Sequence, residues 1–153
     1  MILEKVFNIK TFTHSDTADK LGIENLPNDE QLKNLEELHQ LLLEIRDRLC
    51  TKYQKPIQIK INVAFRNPEV NKAVGGVATS EHLEGKAVDS VALGITIKEY
   101  FDSIKELCDN NVITIGQCIN ERTWLHLSTP SKKHHNQFLQ LQIINGKKRY
   151  LPA

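Results

Sequence analysis

The chain has almost no excess of either charge: 20 Lys and Arg stand against 19 Asp and Glu, a formal net charge of +1 over 153 residues. Proteins that bind by neutralising many phosphates need a clear basic excess on one face, so nucleic acid is not an expected partner. Cysteine is scarce as well. Cys50, Cys108 and Cys118 cannot all pair, and none stands in a C-x-x-C arrangement, so a thiolate zinc site or redox motif has no signature here. Reduced, partly buried thiols are expected. No apolar run approaches the ~18 residues of a membrane span, which excludes membrane insertion. The opening Met1-Ile2-Leu3-Glu4-Lys5-Val6-Phe7 also lacks a basic stretch followed by an apolar segment of secretory length, so the chain is expected to be cytoplasmic when made. Repeats, low-complexity tracts and Pro/Gly/Ser-rich linkers are absent too, which argues for one domain spanning residues 1–153, with a monomer as the expected state. The composition is otherwise that of a globular protein, with 40% hydrophobic and 25% charged residues.

The stretch before Pro27 reads as turn-rich, with a short helix around Ser15 to Leu21. From Asn28 the signal strengthens. Asn28 and Gln31 form an amide variant of the capping box, and Leu32, Leu35, Leu38, Leu42, Ile45 and Leu49 recur at steps of three and four. This predicts a long amphipathic helix ending near Tyr53 to Pro56, with His39 as an ordinary surface or boundary residue. Ile57, Ile59, Ile61 and Val63 then alternate with polar residues, the period of a half-buried strand. Pro68 ends that strand's pairing, and Asn71 to Ser80, with Gly75-Gly76, reads as a loop. A second helix is expected from Thr96, which with Glu99 makes a capping box, and carries Ile97, Tyr100, Phe101, Ile104 and Leu107 on its apolar side. Val112 to Ile119 and Trp124 to Ser128 read as strands joined by a turn at Glu121-Arg122-Thr123. Phe138 to Ile144 and Lys147 to Leu151 flank Asn145-Gly146, a strong hairpin signal. The expected fold class is α+β, with helices packed on a small, mainly antiparallel sheet.

Chemistry concentrates in Ser80-Glu81-His82-Leu83-Glu84-Gly85-Lys86-Ala87-Val88-Asp89. An imidazole and a carboxylate stand seven positions apart there, separated by small residues that let the chain turn close to a packed neighbour. A second imidazole, His126, lies in the strand-like run Trp124-Leu125-His126-Leu127. Two imidazoles and one carboxylate suit zinc and leave a fourth position for water, which is a catalytic kind of site. On spacing alone, His82 and His126 fit equally well as ligands or as satisfied core and surface histidines. Glu81 and Glu84 are expected to face solvent. His134-His135, beside Lys132-Lys133, reads as a solvated basic loop.

The pattern Ser80-x-His82-x-x-Gly85-x-Ala87-x-Asp89, followed by Trp124-x-His126, resembles the zinc-ligand signature of the D-alanyl-D-alanine carboxypeptidase and L-alanyl-D-glutamate endopeptidase family, which shares the hedgehog/DD-peptidase fold. The segment Phe65-Arg66-Asn67-Pro68-Glu69-Val70-Asn71-Lys72-Ala73-Val74-Gly75-Gly76 is similar to the family's lead-in to the metal motif. Phe12-Thr13-His14-Ser15-Asp16-Thr17-Ala18 with Gly22-Ile23-Glu24-Asn25-Leu26-Pro27 is similar to the start of short, phage-type members. The resemblance spans nearly the whole chain, so no separate wall-binding domain is expected within these residues.

That resemblance implies one Zn2+ per chain on His82, Asp89 and His126, and a peptidase acting on the stem or cross-link of bacterial peptidoglycan. It further implies a phage or prophage lysin that reaches the wall through a separate pore protein. Glu121 is expected as general base, with the turn at 121–123 folding it back beside His126. Vancomycin-type members carry their glutamate three residues before the second histidine, a place held here by Thr123. Arg66 matches the family's arginine, whose guanidinium fork holds a substrate carboxylate or steadies the oxyanion. Ser80 either orients His82 or touches substrate, and Trp124 is a cleft wall or a packing residue. The alternative function is a zinc-containing, non-catalytic binding or signalling module of the same fold.

Overall fold

The computed structural model describes residues 1–153. Three helices come first: α1 (Ile9–Thr13), α2 (Asp16–Leu21) and α3 (Asp29–Tyr53). Strand β1 (Gln58–Val63), helix α4 (Pro68–Ala73) and a 3-10 turn (Glu81–Glu84) lead to β2 (Ala87–Leu93) and helix α5 (Ile97–Asp109). Strands β3 (Gln117–Asn120), β4 (Leu125–Ser128), β5 (Gln137–Ile144) and β6 (Lys147–Pro152) complete the chain. The six strands form one mixed sheet in the order β1-β2-β4-β3-β5-β6, so the fold is α+β. Only the β3–β5 pairing is parallel; the other four are antiparallel.

Both long helices start on the capping boxes that their sequences encode. Asn28 and Gln31 bond reciprocally at 2.8 Å, and Thr96 and Glu99 at 3.0 Å, which satisfies backbone donors that a helix start leaves free. Helix α3 buries Leu35, Leu38, Leu42, Ile45 and Leu49, and α5 buries Tyr100, Phe101, Ile104 and Cys108. These stripes meet Ile59, Ile61, Val88, Cys118, Leu125, Leu127 and Phe138 from one face of the sheet in a single apolar cluster. Truncating any of these buried leucines to alanine is expected to cost about 2–5 kcal/mol. No helix is long and apolar enough to cross a membrane.

Several local features differ from the sequence reading. Helix α1 precedes the expected short helix, capped by Asn8, whose side chain accepts from Lys10 N. Residues Asn71 to Ala73 close helix α4 rather than begin a loop, because Asn67 caps that helix and Pro68 fits its first turn, where an N–H is not needed. Val112 to Gly116 is irregular. Ile113 and Ile115 are buried, but Ile115 N donates to the Asn136 side chain at 2.9 Å, so its backbone joins no ladder there. Finally, His39 is buried: Glu4, Phe7 and Phe12 fold over α3, with its Nε2 at 2.8 Å from Glu4 O and its ring edge-on to both phenylalanines. Helical periodicity carries no record of that covering segment. All three cysteines are free, Cys108 and Cys118 buried and Cys50 partly so.

Candidate metal centre

Alternation along a strand and direct opposition across strands sort the sheet's side chains into two faces. Cys118, Leu125, Leu127 and Phe138 point into the core. Asp89 lies directly opposite His126, and His126 opposite Ile119, so these three share the other face. His82 reaches that face from the 3-10 turn just before β2.

This places His82, Asp89 and His126 together, with one donor atom from each inside a 4.8 Å span. Asp89 Oδ1 stands 3.3 Å from His82 Nε2 and 3.0 Å from His126 Nδ1. Ligand atoms about 2.0–2.1 Å from a tetrahedral zinc ion lie roughly 3.3–3.4 Å apart, so the observed separations are close to the edges of such a site. His82 Nδ1 is 2.6 Å from the Ala64 carbonyl, which can only accept. The proton therefore sits on Nδ1, and Nε2 turns its lone pair toward Asp89, as a ligating histidine requires. Burial pushes the Asp89 carboxyl up, but the hydrogen bond from His126 outweighs it and holds the group well below the usual carboxylate range. Two imidazoles and an ionised carboxylate fit zinc by donor type and by spacing.

Several contacts fix the loop that carries His82. Ser80 caps the 3-10 turn, its hydroxyl accepting from His82 N at 3.3 Å. Gln31 and Asn34 of α3 donate to the carbonyls of Leu83 and Glu84 at 3.1 and 2.8 Å. Gly85 then passes with φ +72°, and a Cβ there would lie 2.7 Å from the Gln31 carbonyl. Only glycine combines that dihedral with that approach. Glu81 is buried, contrary to the solvent-facing position expected for it. Its Oε1 is 2.8 Å from His134 Nδ1, so the loop around His134 folds onto the metal segment instead of standing free in solvent. Lys132, Lys133, Glu84 and His135 remain exposed.

Arg66 follows β1 and donates through Nη2 to the Ser80 hydroxyl at 3.3 Å, while its buried Nε has no partner. Burial disfavours its charge and the Asp89 carboxylate favours it, which puts the guanidinium within electrostatic reach of the metal ligands. Ser80 thus touches both Arg66 and the backbone of His82. Glu121 occupies the turn between β3 and β4, closed by Glu121 N donating to Trp124 O at 3.0 Å. In this hairpin Ile119 opposes His126 and Asn120 opposes Leu125, so odd positions of β3 face with even positions of β4. Glu121 therefore aligns with Ile119 on the metal face, although it lies five positions before His126. Burial raises its carboxyl above the ordinary glutamate value, with His126 and Lys148 opposing that rise. Trp124 is half-buried, and alternation sets it on the same side as His126. Two contributors had no sequence signal: the Ala64 carbonyl, since backbone acceptors have no motif, and Tyr150, whose hydroxyl donates to Glu121 Oε2 at 3.3 Å.

No curated protein matches the chain. A family model described as Peptidase M15 matches residues 5–128, a span that includes Arg66, the convergent His82, Asp89 and His126, and Glu121. With most of its length in that match, and a zinc-type donor set at its centre, the chain belongs to the peptidase M15 family.

Proposed function

We propose that the chain is a zinc-dependent hydrolase of a peptide bond in the stem or cross-link of bacterial peptidoglycan, of D-Ala-D-Ala carboxypeptidase or L-Ala-D-Glu endopeptidase type. The observation that carries this reading is the convergence of His82, Asp89 and His126, with Glu121 in the turn that leads into the strand of His126. Zinc held by those three ligands would supply Lewis acidity toward a scissile carbonyl and lower the pKa of a bound water to about 7. Glu121 takes a proton from the attacking water as its oxygen bonds to the carbonyl carbon. It returns that proton to the amine nitrogen as the C–N bond breaks. Arg66 presents a guanidinium fork beside the ligands, suited to a substrate carboxylate or to the oxyanion that develops at the carbonyl. Its pairing with Ser80 aims that fork. The likeness of residues 12–27 to short phage-type members extends the proposal to a phage or prophage lysin.

The test is digestion of purified peptidoglycan with mass spectrometry of the fragments, comparing the zinc-loaded wild type with Glu121→Gln. Loss of a terminal alanine identifies a carboxypeptidase, and release of stem peptides identifies an endopeptidase. Glu121→Gln is expected to lower the rate by about 10²–10⁴. A variant that cuts at the wild-type rate removes Glu121 as base. Intact peptidoglycan after treatment with the wild type favours the non-catalytic module instead.

A further inference from the structure

Tyr150 lies on β6, beyond residues 5–128 that the family model matches. Its strand is exposed along its whole length and forms an edge of the sheet. Even so, register brings it to the metal face. Ile119 opposes Leu139 across the parallel β3–β5 pair, Leu139 opposes Pro152, and Leu141 opposes Tyr150. Directly opposed residues share a face and alternation carries it along each strand, so Tyr150 joins Glu121, His126 and Asp89 on one side of the sheet. The Asn145-Gly146 turn sets that register, because Ile144 pairs with Lys147 immediately across it. The Tyr150 hydroxyl then reaches Glu121 Oε2 at 3.3 Å.

We propose that Tyr150 is a positioning residue for the reaction, its hydroxyl holding Oε2 of Glu121 so that Oε1 is the oxygen presented to water. This rests on the reading of Glu121 as base. A freely rotating carboxylate spends part of its time misaligned for proton transfer, and a single donor on one oxygen removes that freedom. The phenol is suited to the task. Partial desolvation beside Glu121 and the Glu121 carboxylate itself raise it above the ordinary tyrosine value, so it keeps its proton and donates throughout the neutral range. Four groups act on the Glu121 charge besides burial: His126, the Tyr150 hydroxyl and Lys148 favour it, and Asp89 opposes it. Removing the hydroxyl deletes one favourable contact and leaves the other three.

The experiment compares wild type, Tyr150→Phe and Glu121→Gln as zinc-loaded full-length protein on a soluble peptidoglycan stem pentapeptide, which contains both candidate bonds. Tyr150→Phe is expected to lower kcat about 3- to 10-fold, the loss of one hydrogen bond to a charged group, with little change in KM. The acid limb of its kcat profile should move to higher pH. Carboxyl ¹³C titration of Glu121 should move the same way in the metal-free protein, and zinc content and thermal midpoint should stay at wild-type values. A Tyr150→Phe enzyme with unchanged kcat and acid limb, beside an inactive Glu121→Gln, overturns the role of Tyr150 and leaves the base assignment standing. Full activity in Glu121→Gln overturns both. A loss of kcat accompanied by a lower midpoint and an unmoved acid limb shows a merely structural tyrosine, and likewise overturns the proposal.

Discussion

The proposed ligand side and the proposed base side of the centre are built in opposite ways. His82 is buried on a loop fastened at almost every residue: Ser80 to Arg66, Glu81 to His134, Leu83 and Glu84 to helix α3, and His82 itself to Ala64. Asp89 and His126 sit on neighbouring interior strands. Glu121 instead occupies a turn whose next two residues, Arg122 and Thr123, are exposed, and its carboxylate has one side-chain partner on an edge strand. On the proposed assignment, the difference teaches that metal geometry and proton transfer would depend on separate parts of the fold. His82, Asp89 and His126 are held by packing, whereas Glu121, the proposed base, is held by a few polar contacts that small changes can retune.

The largest expected effect lies on the ligand side. His82→Ala should bring zinc from about one ion per chain to nearly none by elemental analysis. Chelation should lower the wild-type thermal midpoint and leave that of the variant unmoved, because only a protein that binds the ion gains from it. Stoichiometric zinc in His82→Ala would break the distinction between the two sides at its root.

Gly85→Ala tests whether the loop's packing, not merely its ligands, holds that side. A side chain at φ +72° facing a backbone carbonyl at 2.7 Å is expected to cost about 1–3 kcal/mol in denaturant unfolding and to weaken zinc binding. A variant as stable as wild type, with unchanged zinc affinity, would show that the loop yields.

The smallest stability effect belongs to the base side. Glu121 has a raised carboxyl in the folded protein, so the folded state binds its proton more tightly than the unfolded chain. Its favourable contribution is complete below the unfolded value near 4.5 and is lost as pH rises through the folded one. At neutral pH the ionised group opposes folding. Glu121→Gln should therefore keep or slightly raise the midpoint at pH 7 while catalysis collapses, and the gain should vanish in acid; calorimetry at pH 4 and pH 7 checks it. A midpoint that falls at pH 7 would mean that Glu121 holds the turn together, erasing the contrast.

Legibility in the sequence follows the same division. Helices α3 and α5 and the β5–β6 hairpin are set by short-range chemistry, two capping boxes and an Asn-Gly turn, and each appears where that chemistry puts it. The convergence of His82, Asp89 and His126 follows from the family resemblance rather than from spacing, which left both histidines equally readable as ordinary core or surface residues. Strand β2 leaves little trace in the sequence because Ala87 to Leu93 is mostly small and apolar on both faces, which hides the alternation of a strand. The burial of His39 and Glu81 depends on segments 35 and 53 residues away, beyond any local pattern. Glu121 lies between these cases: its residue type was visible, but its facing depended on where the β3–β4 turn closes.

One consequence concerns errors in folding. Asp89 and His126 oppose each other directly in the β2–β4 ladder, and His126 is flanked by the buried Leu125 and Leu127. A slip of β4 by one residue would send the imidazole into the core and expose both leucines. If zinc binds as proposed, the metal and the hydrophobic core would reject the same mistake independently. An ion captured by all three side chains would then be a proofreading signal that the central strands have paired correctly.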